Sequence, residues 1–330
     1  MRLKIAFVGF RHGHIFSLYD MIIKHPDFEI VGICEEDVEK SLLPMRSDIK
    51  ISDTDFDKML SRLECDVVAI GDYYSKRGSL AIKALKVNKH IIVDKPLCTS
   101  IEEWSEISKL AESKNLKVGC MFELRGAAEI LKARDLILNN QLGKIVQIQF
   151  SAQHAILLNS RPQWYFEQGK HGGTINDIGS HAIDIIPWMT NLEYKKTIAA
   201  RNWHALGLGS EYFRDAAQIM LELSNGCGVL GDMSYSATDS LKSPLPTYWR
   251  FTIWGTSGML EFRVGDNKLY FYKNGNEKVE VIDNLPVTDM DYLNSFLSDI
   301  NAQKVDLNTD VVLESAKKTL ELQYFADNQR

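Results

Sequence analysis

Strand-like and helix-like stretches alternate through the first 120 residues, and this alternation constrains the fold more than any other feature of the chain. Residues 4–9 form a short apolar run ending in Gly9. Residues 13–24 have helical spacing and stop near Pro26. A buried strand at 28–34 is followed by an acidic segment of helical character, and residues 66–71 form a third strand. Residues 75–87 carry Leu80, Ile82, Ala84 and Leu85 at helical spacing. A strand at 90–93 closes on Asp94-Lys95-Pro96; a helix at 101–113 and a strand at 117–120 follow. Such alternation with short connections predicts an α/β domain, a doubly wound parallel sheet of Rossmann type.

The pattern changes near residue 120. A helix at 124–139 leads toward Gly143, a strand covers 144–155, and a helix covers 177–190. Strand-like runs follow at 197–204, 216–223, 228–236, 248–254, 259–264, 268–272 and 278–282. Asn225-Gly226 and Asn274-Gly275 are hairpin signals. The expected second domain, 121–330, is therefore an α/β unit with a large, mostly antiparallel sheet. Its helical tail, 292–325, is free to pack back on the first domain, 1–120. A broad sheet needs cover on both faces, which predicts a homodimer or homotetramer.

Composition narrows the partners. With 330 residues, a net charge of −6 and no Lys/Arg run, the chain has room for two cores and no basic patch for a nucleic acid. No apolar stretch reaches membrane-spanning length, and the N-terminal apolar run is too short for a signal peptide. The five cysteines are odd in number and form no CxxC pair. A reducing, cytoplasmic location is the expectation.

In an open parallel sheet, ligands bind beyond the carboxyl ends of the strands. The first such end reads Gly9-Phe10-Arg11-His12-Gly13-His14. A dinucleotide fingerprint places glycines at 9, 11 and 14; only Gly9 is present, and Gly13 lies one residue off. The context nevertheless fits, with a strand before, a helix after, and Glu35-Glu36 closing the second strand. A carboxylate there suits ribose hydroxyls and repels a 2′-phosphate, so NAD is expected ahead of NADP. Arg11 offers a charge contact to pyrophosphate in place of the missing glycine. The alternative for Glu35 and Glu36 is an acidic first helical turn. His12 and His14 lie two apart, but no further ligands are evident in the sequence, so no metal is expected.

The segment Gly172-Gly173-Thr174-Ile175-Asn176-Asp177-Ile178-Gly179-Ser180-His181-Ala182-Ile183-Asp184 carries the second concentration of chemistry. On a helix turning about 100° per residue, Asp177, His181 and Asp184 fall within about 60° of one another. Histidine titrates near neutrality and can give or take a proton. The two glycines let another group approach the backbone closely.

These residues together resemble the Gfo/Idh/MocA oxidoreductases, the glucose–fructose oxidoreductase and inositol dehydrogenase family. The resemblance rests on the first strand–turn–helix, Glu35, Asp94-Lys95-Pro96 where the family usually has Glu-Lys-Pro, and the full Asp-x-Gly-x-His-x-x-Asp of Asp177, Gly179, His181 and Asp184. It implies a nicotinamide cofactor in the first domain and a sugar, polyol or sugar derivative between the domains, oxidised or reduced at a CH–OH group. By that resemblance Lys95 lies near the nicotinamide and the reacting hydroxyl, His181 is the acid–base group, and Asp177 binds substrate. Gly9, Phe10, Arg11, His12, Glu35, Asp72, Tyr73, Asp94 and Lys95 become the expected cofactor-binding set. The chain departs from the family where Tyr73 stands for proline and Arg77 for histidine. Arg125, His154 and Trp164, with Arg161 and Tyr165 beside them, are further substrate candidates; packing of the connection is the alternative for Trp164 and Tyr165. An NAD-dependent glycoside hydrolase and a non-catalytic sugar or NAD sensor remain the rival readings on such a scaffold.

Overall fold

The computed structural model describes residues 2–240, 248–285 and 291–328. The chain divides into two compact units. The first comprises the residues through Met121 together with Pro162–Gly172 and Tyr292–Lys317. The second comprises Phe122–Arg161, Gly173–Asp291 and the remainder from Lys318.

In the first unit the elements run β1 (Leu3–Val8), α1 (His14–Ile22), β2 (Phe28–Cys34), α2 (Phe56–Arg62), β3 (Val67–Ile70), α3 (Tyr74–Lys86), β4 (His90–Val93), α4 (Ile101–Lys114) and β5 (Val118–Cys120). The strands form one parallel sheet in the order β2-β1-β3-β4-β5. Val67, Val68, Ala69 and Ile70 of β3 are all fully buried, as a strand covered on both faces requires. The strand order reverses between β1 and β3, so their carboxyl ends open the crevice where such sheets bind ligands. The acidic segment after β2 departs from its expected helical character. It forms two single 3-10 turns, Val38–Lys40 and Leu43–Met45, the second holding Pro44. Regular helix begins only at α2, where the Asp55 carboxylate accepts from Lys58 N.

The second unit holds α5 (Ala128–Leu138), β6 (Ile145–Ala155), α6 (Ser180–Thr190), β7 (Tyr194–Trp203), β8 (Ala216–Leu223), β9 (Gly228–Ala237), β10 (Arg250–Gly255), β11 (Gly258–Arg263), β12 (Lys268–Lys273) and β13 (Glu280–Asp283). The sheet order is β13-β12-β11-β10-β6-β9-β8-β7; every pair is antiparallel except β6–β9. Alternate residues face inward, as in β8, where Ile219 and Leu221 are buried and Met220 between them is exposed.

Three helical expectations are refined. A 3-10 turn, Glu123–Gly126, precedes α5 and breaks the expected 124–139 helix. A wide π turn, Ile175–Gly179, precedes α6, so the 100° count from Asp177 does not hold across it. The helical tail is two helices, α7 (Tyr292–Ile300) and α8 (Thr309–Asp327), separated after Ala302 turns left-handed at φ 56°. In the first unit α7 lies on β5, where a side chain on Gly119 would meet the Phe296 ring at 2.8 Å. The start of α8 is tied in by Val118 N donating to Thr309 Oγ1.

The end of α8 belongs to the second unit and explains one of the paired glycines. Gln323 Oε1 accepts from Ile175 N (2.9 Å) and Asn176 N (3.2 Å), closing the exposed donors at the head of the π turn. Gly173, at φ 95°, leaves the space: a Cβ there would sit 2.1 Å from the Gln323 carboxamide. The group that approaches this backbone is thus internal. A Gln323→Leu variant strands two buried N–H groups and is expected to lose about 2 kcal/mol of stability in urea unfolding. An unchanged midpoint would show that the carboxamide is dispensable.

Candidate functional site

The turn after β1 is built by close approach. Gly9 takes φ 78°, and a Cβ on it would lie 2.6 Å from Asp72 Cβ, so the turn after β1 and the loop after β3 meet where only glycine fits. Phe10 turns its ring into the core against Phe7 and Phe16 and its N–H to Glu35 Oε2 at 2.7 Å. Glu35 also accepts from Asp37 N and is fully buried; burial pushes its carboxyl above the ordinary range against the pull of those two N–H groups. Arg11, 5% exposed, points its guanidinium at Glu35 (3.6 Å), Asp37 (3.4 Å) and Asp72 (3.9 Å). Arg11 is engaged by the Glu35, Asp37 and Asp72 carboxylates, and Glu35 ties the turn to β2 through the Phe10 N–H. A carboxylate enclosed by its own fold needs such partners.

The unit nonetheless fits a dinucleotide at two points. α1 begins without a side-chain cap, and nothing lies within 4 Å of a Cβ built on Gly13, so the first helical N–H groups are open to an anion. Asp37, two residues beyond Glu35, keeps a third of its side chain exposed and can take the ribose contact. Asp72 is internal: it accepts from Tyr73 N and pairs with Lys76. The Tyr73 ring is half-buried among Arg11, Lys76 and Lys170.

Asp94, at the end of β4, is the centre of a buried charged network. Its Oδ2 accepts from Arg77 Nη2 (2.8 Å) and His12 Nδ1 (2.6 Å), and its Oδ1 lies 3.3 Å from His14 Nδ1. Burial alone would raise the carboxyl; the Arg77 guanidinium, His12 and His14 outweigh it and hold the group well below its ordinary value. Arg77, with no exposed surface, also donates from Nη1 to the carbonyls of Asp94 (2.7 Å) and Lys95 (2.5 Å), and from Nε to Asp72 O (2.7 Å). One guanidinium therefore fixes the backbone that carries Lys95, whose peptide bond to Pro96 is cis. His12 continues inward: Nε2 is 3.3 Å from Tyr74 Oη, which is 2.8 Å from Tyr165 Oη. A third ligand-bearing side chain thus stands beside His12 and His14, which the sequence spacing did not reveal.

The segment Pro162–Gly172 covers this network. Trp164 Nε1 donates to Arg11 O at 3.1 Å, and Ser75 N donates to Lys170 O. Trp164 and Tyr165 are buried, and Trp164 packs on the turn beside Tyr74.

In the second unit, Asp177, His181 and Asp184 separate in role. Asp184 takes Arg125 in a buried two-point ion pair, Nε at 2.7 Å and Nη2 at 2.8 Å, with the guanidinium over the Trp188 ring. Arg125 thereby holds α6 through Asp184. Asp177 Oδ2 accepts from the Tyr235 hydroxyl on β9. The His181 ring packs edge-on to Trp249 (5.9 Å) and Phe122 (6.3 Å). His154 on β6 shares that Trp249 ring (6.1 Å) and lies 6.3 Å from Tyr235. Arg161 lies over Tyr235. Asp177, His181 and His154 are thus gathered on one aromatic wall. The sequence reading missed Tyr235 and Trp249, which carry no local signal because strand pairing alone brings them here.

His12 is buried neutral, its imidazole pushed down to about 4 chiefly by burial, against the attraction of Asp94. The unfolded chain takes up a proton near pH 6.5 that the folded chain refuses until about pH 4, so stability falls as pH drops through that interval. Between pH 7 and pH 5 this single group is expected to cost about 2 kcal/mol. Urea unfolding of wild type and His12→Asn at both pH values measures it; equal pH slopes would refute the assignment.

Comparison with known proteins agrees with this architecture. Residues 3–122 match the family model described as oxidoreductase family, NAD-binding Rossmann fold, and residues 130–261 match the GFO/IDH/MocA C-terminal domain. An uncharacterized oxidoreductase of Schizosaccharomyces pombe is 28% identical over 131 residues, 40% of this chain and 36% of that protein. Glucose-6-phosphate 3-dehydrogenase of Bacillus subtilis is 24% identical over 248 residues, 74% of this chain and 67% of that protein. The chain thus aligns with about a third of the first relative's length and two thirds of the second's. The structure of an inositol dehydrogenase homolog complexed with NAD+ from Azotobacter vinelandii shares the fold, with a TM-score of 0.79 at 16% identity over 99% of this chain and 96% of that one. With both halves matched in order and the sheet topology in agreement, the chain belongs to the Gfo/Idh/MocA family of oxidoreductases.

Proposed function

We propose that this protein transfers a hydride between a nicotinamide dinucleotide, NAD ahead of NADP, and the CH–OH group of a sugar, polyol or sugar derivative. The observation that carries the reading is a set of three ionisable groups at family-motif positions, each more than nine-tenths buried: Lys95 on the β4 loop, and Asp177 and His181 at the head of α6. Gly9, the open start of α1 and Asp37 would hold the dinucleotide, which supplies the hydride acceptor or donor when bound. Glu36 and Asp37 present carboxylates at the end of β2, which disfavour a 2′-phosphate. The relatives support the substrate class: one is named as a glucose-6-phosphate 3-dehydrogenase and another as a 1,5-anhydro-D-fructose reductase.

The chemistry asked of the side chains is limited. A carbinol carbon releases hydride only as its hydroxyl loses a proton, and His181 is the group suited to take it. The Lys95 ammonium stabilises the negative charge that develops on that oxygen, a charge absent from the ground state. Asp177, oriented by Tyr235, binds a neighbouring hydroxyl. The buried Trp249 and Tyr235 rings pack beside His154 and hold His181 and Asp177 in place.

Two further assignments accompany this reading. Met220 and Leu230, paired across β8 and β9 and exposed at 42% and 40%, suit burial against the same sheet of a second copy. A strictly monomeric mass by light scattering would remove the homo-oligomer. All five cysteines are buried free thiols, which suits a reducing cytoplasm.

Absorbance at 340 nm with NAD or NADP across a panel of sugars and polyols tests the reaction. Lys95→Ala and His181→Ala are each expected to lower kcat by a factor of about 10²–10⁴. Full turnover in either variant would end the catalytic assignment. An aglycone released without net NADH would point to the hydrolase instead.

A further inference from the structure

We infer that His12, His14 and Asp94 form a binding site for a divalent first-row transition cation such as zinc, open to solvent on the side of Gly13. One ligand atom from each residue lies within 4.8 Å of the other two. His12 comes from the turn after β1, His14 is the first residue of α1 and Asp94 follows the end of β4, so the fold itself assembles the set.

The Asp94 carboxylate is divided in a way that leaves one oxygen for an ion. Oδ2 is taken by Arg77 and His12. Among the described residues, the buried Oδ1 accepts no hydrogen bond, and the buried His14 Nδ1 facing it at 3.3 Å makes none either. Two lone-pair atoms so placed match one edge of a coordination shell. An ion about 2.1 Å from each, as zinc holds nitrogen and oxygen, separates its ligands by about 3.0 Å at right angles and about 3.4 Å in a tetrahedron. His12 Nδ1 completes the set once its proton moves to Nε2, where the Tyr74 hydroxyl lies at 3.3 Å and can pass its own hydrogen toward Tyr165 at 2.8 Å.

Two imidazoles and a carboxylate suit a borderline cation better than magnesium or calcium, which prefer all-oxygen shells. Three protein ligands with open space at Gly13 leave a fourth position for water or an anionic oxygen. Arg77 competes for the carboxylate's charge and weakens it as a donor, so the site is an exchangeable one and not a structural staple. This assignment does not depend on the hydride-transfer reading.

The full chain, stripped with a chelator, is to be titrated with Zn²⁺ by calorimetry and with Co²⁺ by visible absorption. One equivalent is expected. His14→Ala, at a half-exposed position that leaves the Arg77–Asp94 pair in place, is expected to weaken it at least about tenfold. Asp94→Asn, checked for folding by circular dichroism, should abolish it. Absence of saturable binding to the wild-type chain, or one-equivalent binding unaltered by His14→Ala, would overturn the site.

Discussion

One buried anion organises the first unit. The Asp94 carboxylate, without access to solvent, is tolerable only because Arg77 and His12 donate to it, and the three groups come from three different places in the chain. His12 fixes the turn after β1, Arg77 fixes the head of α3, and Asp94 fixes the loop that bears Lys95. The same guanidinium then satisfies the carbonyls of that loop, so charge pairing and backbone hydrogen bonding converge on one side chain. Removing any member leaves the others buried and uncompensated, which costs more than the pair itself contributes. The backbone that carries Lys95 is therefore set by the same network that neutralises Asp94.

The second unit solves a similar problem with a division of labour. Asp177 and Asp184 stand seven residues apart, yet one binds a tyrosine hydroxyl from β9 and the other an arginine from the turn before α5. The wide turn at Ile175–Gly179 makes this possible by rotating Asp177 out of simple helical phase with α6. Asp184 thus anchors the helix while Asp177 and His181 remain on the aromatic wall with Trp249 and His154.

The strands and helices of the first 120 residues were legible in the sequence because apolar runs of four to seven residues between turn signals have few other readings. The β-rich second half was legible for the same reason. Local spacing failed where a residue's fate is settled by a distant partner. Glu35 stands at the ribose position by sequence, but Arg11 and two backbone N–H groups claim it. Arg125 and Trp164 carry no local sign of the Asp184 carboxylate and the Arg11 carbonyl that they bind. His12 and His14 lacked a visible companion because Asp94 lies some eighty positions further on, and only the parallel sheet brings the two loops together. The acidic segment after β2 was misread because Pro44 and carboxylates engaged elsewhere leave no continuous helical face.

The contact of Gln323 with the head of the π turn has a bearing on biogenesis. The segment bearing Asp177 and His181 draws its capping acceptor from a residue almost 150 positions downstream. While the polypeptide is still emerging from the ribosome, the motif that follows Gly173 stays uncapped until α8 has been synthesised, and β5 of the front sheet likewise waits for α7 and Thr309. Ordering of the Asp177–His181 segment is in this way deferred until α8 has been made, and a product truncated before α8 would lack both this cap and the Thr309 hydroxyl that receives Val118 N.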